Sequence, residues 1–524
     1  MLNQSVIWIS LALYMAFLAG VAITVTIKEK RAAANSSGLT ATVKAPVLIM
    51  TYVASLMSTW VFFAGPGAYY RGGFVYFISE LSYIALFPII AHFTMNKVWL
   101  VNKAMGNSFV TPADFYDARF KSPALRVVLA TIFLIASFPY ITSVLVAIAN
   151  ACQYATGGNI SYQMAVIVIG LIMTIFMMTG GTKSAATADM FQGLAIIAML
   201  WVIVIACILG LGDQGGLLGA INNLWQNVQP GAQYNFFEYP GPNSWVSYAA
   251  RFGYPFSCAI GWTIMLPHVF VRSGYFGDSM ESQRKLTFAG PILQAVVWAG
   301  TMLLGLVGLA MLPGLTSSES ELIIPYMINN VIVHMNPMLA KALMVAFFVG
   351  SMAVGLSTAN AFLSVSTGII YNDFIKKTFH IKVQRENTVV RTITAVIGLT
   401  SLLFALDPPD LIFTLIMFAI AIVMPLLPIL IFGIYWKRAT KQAAIISAVV
   451  GTVLVLLTYF VWDIGGSWYG FFGFLGSTVC MVVVSLLTKQ DPNDSKDFFK
   501  ALKDGHNRYF TIHSDEVTSE NIVS

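Results

Sequence analysis

The sequence predicts an all-α polytopic membrane protein of about thirteen transmembrane helices, and three observations carry that expectation. Of 524 residues, 57% are hydrophobic and 10% charged, against about 25% charged in a soluble domain. So little charge cannot cover the surface of a water-soluble fold of this size. Apolar segments of the roughly 20 residues needed to cross a hydrocarbon core of about 30 Å recur along the chain. Lys and Arg concentrate in alternate loops, as the resistance of positive flanks to translocation requires.

In chain order, the expected spans lie near residues 5–27, 45–68, 73–95, 125–152, 161–179, 186–210, 247–270, 288–313, 338–369, 388–406, 410–434, 441–461 and 466–487. One set of loops holds Lys28, Lys30, Arg31 and Lys44, then Lys97, Lys103, Arg119, Lys121 and Arg126, then Lys183, then Arg272, Arg284 and Lys285. The same side receives Lys376, Lys377, Lys382, Arg385 and Arg391, then Lys437, Arg438 and Lys441, and finally the tail from Lys489 to Arg508. Only Arg71, Arg251 and Lys341, of 29 basic residues, are left for the other face. The expected location is therefore the plasma (inner) membrane, with the N-terminus outside and the C-terminus cytoplasmic.

The formal net charge of +6 comes from these short flanks, not from one basic patch, so it does not indicate nucleic-acid binding. The partners expected are the lipid bilayer, a small solute and an ion. Cys152, Cys207, Cys258 and Cys480 sit in or at the ends of apolar spans, with no CxxC and no histidine at metal-ligand spacing. There is no Walker lysine loop and no triad motif, so neither primary pumping nor enzyme chemistry is expected, and no cofactor beyond a coupling ion. The polar stretches 211–246 and 314–337 are expected to shape an external vestibule. Residues 490–524 form a charged tail expected to be mobile.

The most informative segment is Ala54-Ser-Leu-Met-Ser-Thr-Trp60 followed by Gly65-Pro-Gly-Ala68. Small and hydroxyl residues with a Gly-Pro-Gly allow a helix to unwind in mid-membrane, where broken helices persist only if they line a cavity or hold a ligand. A tight packing face of small residues would have the same composition. A second segment, Val354-Gly-Leu-Ser-Thr-Ala-Asn-Ala361, places the hydroxyls of Ser357 and Thr358 side by side in a long span. Hard oxygen ligands suit a small alkali cation, although such hydroxyls often bond back to their own helix. Asp189 and Glu80 are carboxylates in or near spans, where ionisable groups are costly and usually face a cavity or a partner. For Asp189 the alternative is a surface pair with Lys183, and for Glu80 a structural hydrogen-bonding role.

These segments, with Thr111-Pro-Ala-Asp-Phe-Tyr-Asp-Ala-Arg-Phe120, Gly180-Gly181 to Asp189 and Gln192, and Pro267-His268 with Arg272, resemble the sodium/solute symporters. The likeness spans roughly the first 490 residues and looks strongest to the sodium/proline branch. It implies a leucine-transporter-like core of two inverted five-helix repeats at 41–435. Around that core it places an extra N-terminal helix and loop at 1–40, extra helices at 436–489 and a cytoplasmic tail at 490–524. It implies a sodium site made by Ala54, Met57 and Val354 through backbone, by Ser357 and Thr358, and with Asp189 near a second cation position. For the solute it points to Tyr140 and Trp262, beside Ser58, Trp60 and Gly65 of the broken helix.

The sodium/proline branch carries an aspartate next to the sodium site where this chain has Leu56. Other branches of the family also lack that acid, and Glu80 or Asp189 could supply the charge that Leu56 does not. The resemblance implies sodium-coupled symport of a small polar or carboxylated solute: an amino acid such as proline, a monocarboxylate, or a pantothenate-like acid. Proton-coupled uptake of the same solutes, and a membrane sensor on a transporter fold, are the alternatives.

Overall fold

The computed structural model describes residues 2–31, 39–233, 235–238, 264–408, 412–462 and 468–511. Helix α1 (Gln4–Arg31) precedes a discontinuous helix, α2 (Ala45–Met57) and α3 (Gly65–Gly72), joined through Ser58, Thr59 and a π-helical stretch, Trp60–Ala64. Then come α4 (Val75–Phe93), α5 (Met95–Ala104), the short α6 (Pro112–Phe120), α7 (Pro123–Ala155), α8 (Tyr162–Leu209), α9 (Gly216–Gln226), α10 (Pro267–Tyr275) and α11 (Met280–Met311). The chain continues with α12 (Pro337–Gly368) and its π-helical extension Ile369–Thr378, α13 (Glu386–Ala405), α14 (Ile412–Val423), α15 (Leu426–Tyr435), α16 (Lys441–Phe460), α17 (Trp468–Leu487) and α18 (Pro492–His506).

Ten of these helices or helix runs are long and apolar enough to cross a membrane, and the bent pair α2 and α3 does so together. Helix α8 is 48 residues long with non-helical backbone at Gly181. Straight, it would measure about 72 Å at 1.5 Å per residue, more than twice the hydrocarbon thickness of about 30 Å, so it supplies two spans. Apolar helices lie at the expected spans except the seventh, at 247–270, with 161–179 and 186–210 both inside α8; the described residues give ten such runs, or eleven with the bent pair, rather than thirteen. Most of that span, like Arg251, Cys258 and Trp262, lies outside the described residues.

The break between α2 and α3 falls at Ser58 and Thr59, not at the Gly-Pro-Gly. Ser58 has φ 50 and ψ −175, a conformation close to that of Gly181 at φ 65 and ψ −177. Only glycine adopts this region without strain; for serine it costs about 1–3 kcal/mol and persists because the surrounding structure imposes it. Pro66 instead sits in the first turn of α3, where a missing N–H costs nothing. Gly65 is needed for packing: a Cβ there would lie 2.6 Å from Thr301 Cγ2.

The core is formed where α12 packs on α7 and α8, and where α2 packs on α8 and α11. At the bundle end that carries the basic loops, charges are buried in a network. Asp114 of α6 accepts from Arg126 at 2.6 Å and Lys377 at 2.6 Å through one oxygen, and from the Val110 and Thr111 amides through the other. Arg126 also reaches Asp373 at 2.7 Å and Asp117 at 2.5 Å, and Thr111 Oγ1 donates to Asp373 at 3.0 Å. Burial alone would push the Asp114 carboxyl up, but Lys377 and Arg126 outweigh it and hold it below the usual carboxylate range. The Thr111 to Phe120 motif is thus a clamp joining α6, the start of α7 and the end of α12. Arg119 donates to the carbonyls of Gly433, Trp436 and Ala439, which neutralises the negative end of α15.

At the opposite end, the Tyr70 hydroxyl donates to Leu312 O at 2.7 Å and Arg71 donates to Ser317 O at 2.9 Å. Glu321, 4% exposed, accepts from the Ile412 and Phe413 amides at 3.3 and 3.0 Å and so caps the start of α14. The 312–321 loop is therefore fastened to α3 and to the start of α14.

The expectation of a mobile tail is corrected for residues 492–506. They form α18, which packs on α5 and α6. Phe498 is fully buried, Lys121 pairs with Asp497 at 2.8 Å, Lys441 pairs with Asp494 at 3.0 Å, and the Arg119 guanidinium lies 5.0 Å from the Phe499 ring. The apolar stripe of α18 is short enough to be lost among its charges, and its partners are residues far away in sequence.

Two outcomes follow for stability, both read as thermal unfolding of the purified protein by tryptophan fluorescence. Ser58→Gly should unfold later, by about 1 kcal/mol, because strain is relieved. Asp114→Asn should lose about 3–5 kcal/mol by leaving buried cations unpaired, while Lys121→Gln, in an exposed pair, should change stability by at most about 1 kcal/mol. Equal effects of the last two would contradict the clamp.

Candidate cation and solute site

Interrupting α2 inside the bundle leaves its last carbonyls without intrahelical partners, at depth where Ala54, Ser55 and Met57 are fully buried. Thr358 Oγ1, midway along α12, donates to Ser55 O at 3.2 Å and to Val354 O at 3.1 Å. Its neighbour Ser357 donates to Asp189 Oδ1 at 2.6 Å. The other Asp189 oxygen accepts from Thr51 Oγ1 at 2.6 Å and from the Arg272 guanidinium at 3.3 Å, while Arg272 Nε donates to Thr51 at 3.0 Å.

Val354, Ser357, Thr358 and Asp189 are thereby gathered at one junction of α2, α8, α10 and α12, and Ala54 and Met57 flank the Ser55 carbonyl in the buried last turn of α2. The junction offers backbone carbonyls, two hydroxyls and a carboxylate, the hard oxygens that suit an alkali cation. Asp189 and Arg272 are each 1% exposed. Asp189 is therefore not a surface pair with Lys183, and Arg272, counted by charge placement as a loop residue, belongs to the junction.

A second group adjoins the first. The Tyr140 ring stacks on Phe362 with centroids 4.5 Å apart, and His268 lies 3.9 Å from the same ring, with its Nε2 3.3 Å from Ser55 O. The Ser58 hydroxyl lies near the Tyr140 phenol without a hydrogen bond of good geometry, and Ser58 Oγ, Thr59 Oγ1 and His268 Nδ1 are buried without partners. Buried polar atoms nearly always have partners, and among the described residues these three have none.

Trp60, Gly65 and Glu80 form a separate group. Trp60 Nε1 donates to Glu80 Oε1 at 2.9 Å, the Tyr69 hydroxyl donates to the other oxygen, and the Trp60 ring lies 5.9 Å from Phe413. Glu80 thus ties the two sides of the π-helical stretch. Trp262 lies outside the described residues.

Sequence reasoning missed Thr51, the Ser55 carbonyl and His268 as parts of the junction. A usable signal was present for two of them: Thr51 and Ser55 are hydroxyl residues one helical turn apart, on one face of an otherwise apolar segment. His268 gave none, because its partner is a backbone carbonyl.

Among proteins of known function, the sodium/pantothenate symporter of Escherichia coli (strain K12) is 29% identical over 78% of this chain and 80% of its own. The sodium/proline symporter of the same organism is 25% identical over 83% of this chain and 84% of its own. Among solved structures, a substrate-bound, outward-open Na+-coupled sialic acid symporter superposes with a TM-score of 0.76 at 18% identity, covering 93% of this chain and 98% of that one. The fold is accordingly leucine-transporter-like. Residues 40–451 match the sequence model of the Sodium:solute symporter family; the chain belongs to that family and carries out sodium-coupled symport of a small solute.

Proposed function

We propose that the chain takes up a small amphipathic carboxylate of pantothenate-like build together with sodium. Sodium is held by the backbone oxygens of Ala54, Met57 and Val354 and by Ser357 and Thr358, with Asp189 as the adjoining carboxylate. The observation that supports this reading is the bond from Thr358 to Ser55 O, which brings the Thr358 hydroxyl of α12 against the last turn of α2, between the Ala54 and Met57 carbonyls in sequence. A hydroxyl that donates its proton to a carboxylate or carbonyl keeps its lone pairs for a cation and is polarised by the bond it makes. Leu56 then needs no replacement acid, because Asp189 stands behind Ser357.

The solute lies against Ser58, Thr59, Tyr140 and His268, with Trp262 completing the aromatic wall. A carboxylate is favoured there because the second half of the broken helix begins at the gap and presents the positive end of its dipole, next to the unpartnered hydroxyls of Ser58 and Thr59. The likeness to a sodium/pantothenate symporter supports the same solute class. The end carrying the basic loops faces the cytoplasm, so the N-terminus is outside and uptake runs inward. Sodium binding closes α2 against α12, raises solute affinity, and is itself tightened by solute to the same factor.

Labelled pantothenate should accumulate in proteoliposomes under an inward sodium gradient, saturably, and fail to do so when potassium replaces sodium. Accumulation driven by a pH gradient in sodium-free medium would overturn the coupling, and transport of proline but not pantothenate would overturn the solute class. Thr358→Ala should raise the half-saturating sodium concentration by about tenfold or more, since a bond to a charged partner is worth about 1.5–3 kcal/mol. An unchanged sodium dependence in that variant would remove Thr358 from the site. Glu80→Gln should lower maximal uptake while leaving the half-saturating sodium concentration unchanged at two pH values, because its partners are both donors of the helix break. A shift in that concentration would instead put Glu80 on the cation path.

A further inference from the structure

Where α18 docks, it encloses a cavity of about 390 Å³ with the start of α5 and the end of α15, lined by His92, Asn96, Lys97, Tyr435, Lys503 and His506 among apolar side chains. We propose that this cavity is a binding site for one anionic phospholipid, such as a phosphatidylglycerol, which joins the C-terminal helix to the transporter body.

The charge of the lining is one-sided, with two lysines, two histidines and no carboxylate. Lys97 Nζ sits 4.4 Å over the Tyr435 ring, and among the described residues neither Lys97 nor Lys503 has an acidic side chain at ion-pairing distance. A phosphate between them would supply the missing countercharge, as in basic pockets that hold lipid headgroups at the cytoplasmic side of membrane proteins.

An exposed apolar strip adjoins the cavity. Leu86, Ile89 and Phe93 of α4, 42%, 54% and 52% exposed, fall on one helical stripe that leads to His92 and Asn96. An acyl chain lies along that stripe while the headgroup enters beside Lys97. The opposite wall is Phe499, Leu502 and Lys503 of α18, so the lipid contacts both parts at once.

Native mass spectrometry of the full-length protein, titrated in detergent with palmitoyl-oleoyl phosphatidylglycerol or phosphatidylcholine, tests the site. One phosphatidylglycerol should stay bound where phosphatidylcholine does not. The double variant Lys97→Gln/Lys503→Gln should weaken that binding about tenfold or more, and Leu502→Trp, which keeps both charges but fills the cavity, should weaken it as well. Lys500→Gln, an equal charge change on the exposed face of α18, should leave it intact. Equal retention of the two lipids, no effect of either cavity variant, or displacement by millimolar inorganic phosphate would each overturn the proposal, the last by showing an anion site with no use for the chain.

Discussion

A helix interrupted inside a bilayer exposes carbonyl groups that no water can satisfy, and the carbonyl of Ser55 is the one on which this architecture turns. Thr358 of α12 and His268 of α10 both reach it, so the end of α2 is defined by side chains from two other helices. Without them the break would be an uncompensated loss. With them the Ser55 carbonyl is satisfied by the chain's own side chains. The strained backbone of Ser58 belongs to this arrangement, since it aims the next half-helix away from the first by 50°.

The two ends of the bundle are secured by different means. At the basic end, Asp114 gathers two cations and two amides, and α18 is held by ion pairs and aromatic packing. At the other end, the ties among the described residues include side chains capping backbone: Tyr70 to Leu312, Arg71 to Ser317, and Glu321 to the start of α14. Caps and single hydrogen bonds are worth about 1 kcal/mol each, whereas opening the buried network would strip several charges of their partners.

How much of this was legible in the sequence depended on the range of the interactions. Span positions follow from local hydropathy, and apolar helices lie at them wherever the chain is described. The breaking of the second span was legible from its small and hydroxyl residues, but its position was not. Gly65-Pro66-Gly67 looks like the weak point, yet the chain bends at Ser58, because the partners that stabilise the break lie on α10 and α12. Ser357 and Thr358 were visible as a pair; that one serves Asp189 and the other Ser55 was not, since adjacent residues on a helix point to different neighbours. Arg272 shows the limit of charge counting, which treats every arginine near a span end as a flank. Its place beside Asp189 is set by the tertiary fold. The tail failed for a similar reason: the stripe of Phe498 and Leu502 is meaningful only against α5 and α6.

The pairing of Asp189 with Arg272 also bears on how the protein meets the membrane potential. Moving one elementary charge through the field is worth about 2.3 kcal/mol per 100 mV. A lone aspartate at the junction would carry a full unbalanced charge through whatever part of the field the rearranging helices traverse, and voltage would then bias the empty carrier toward one side. Neutralised by a guanidinium of the same chain, the junction is electrically silent when empty, and the potential acts there only on the ions and solutes it has taken aboard.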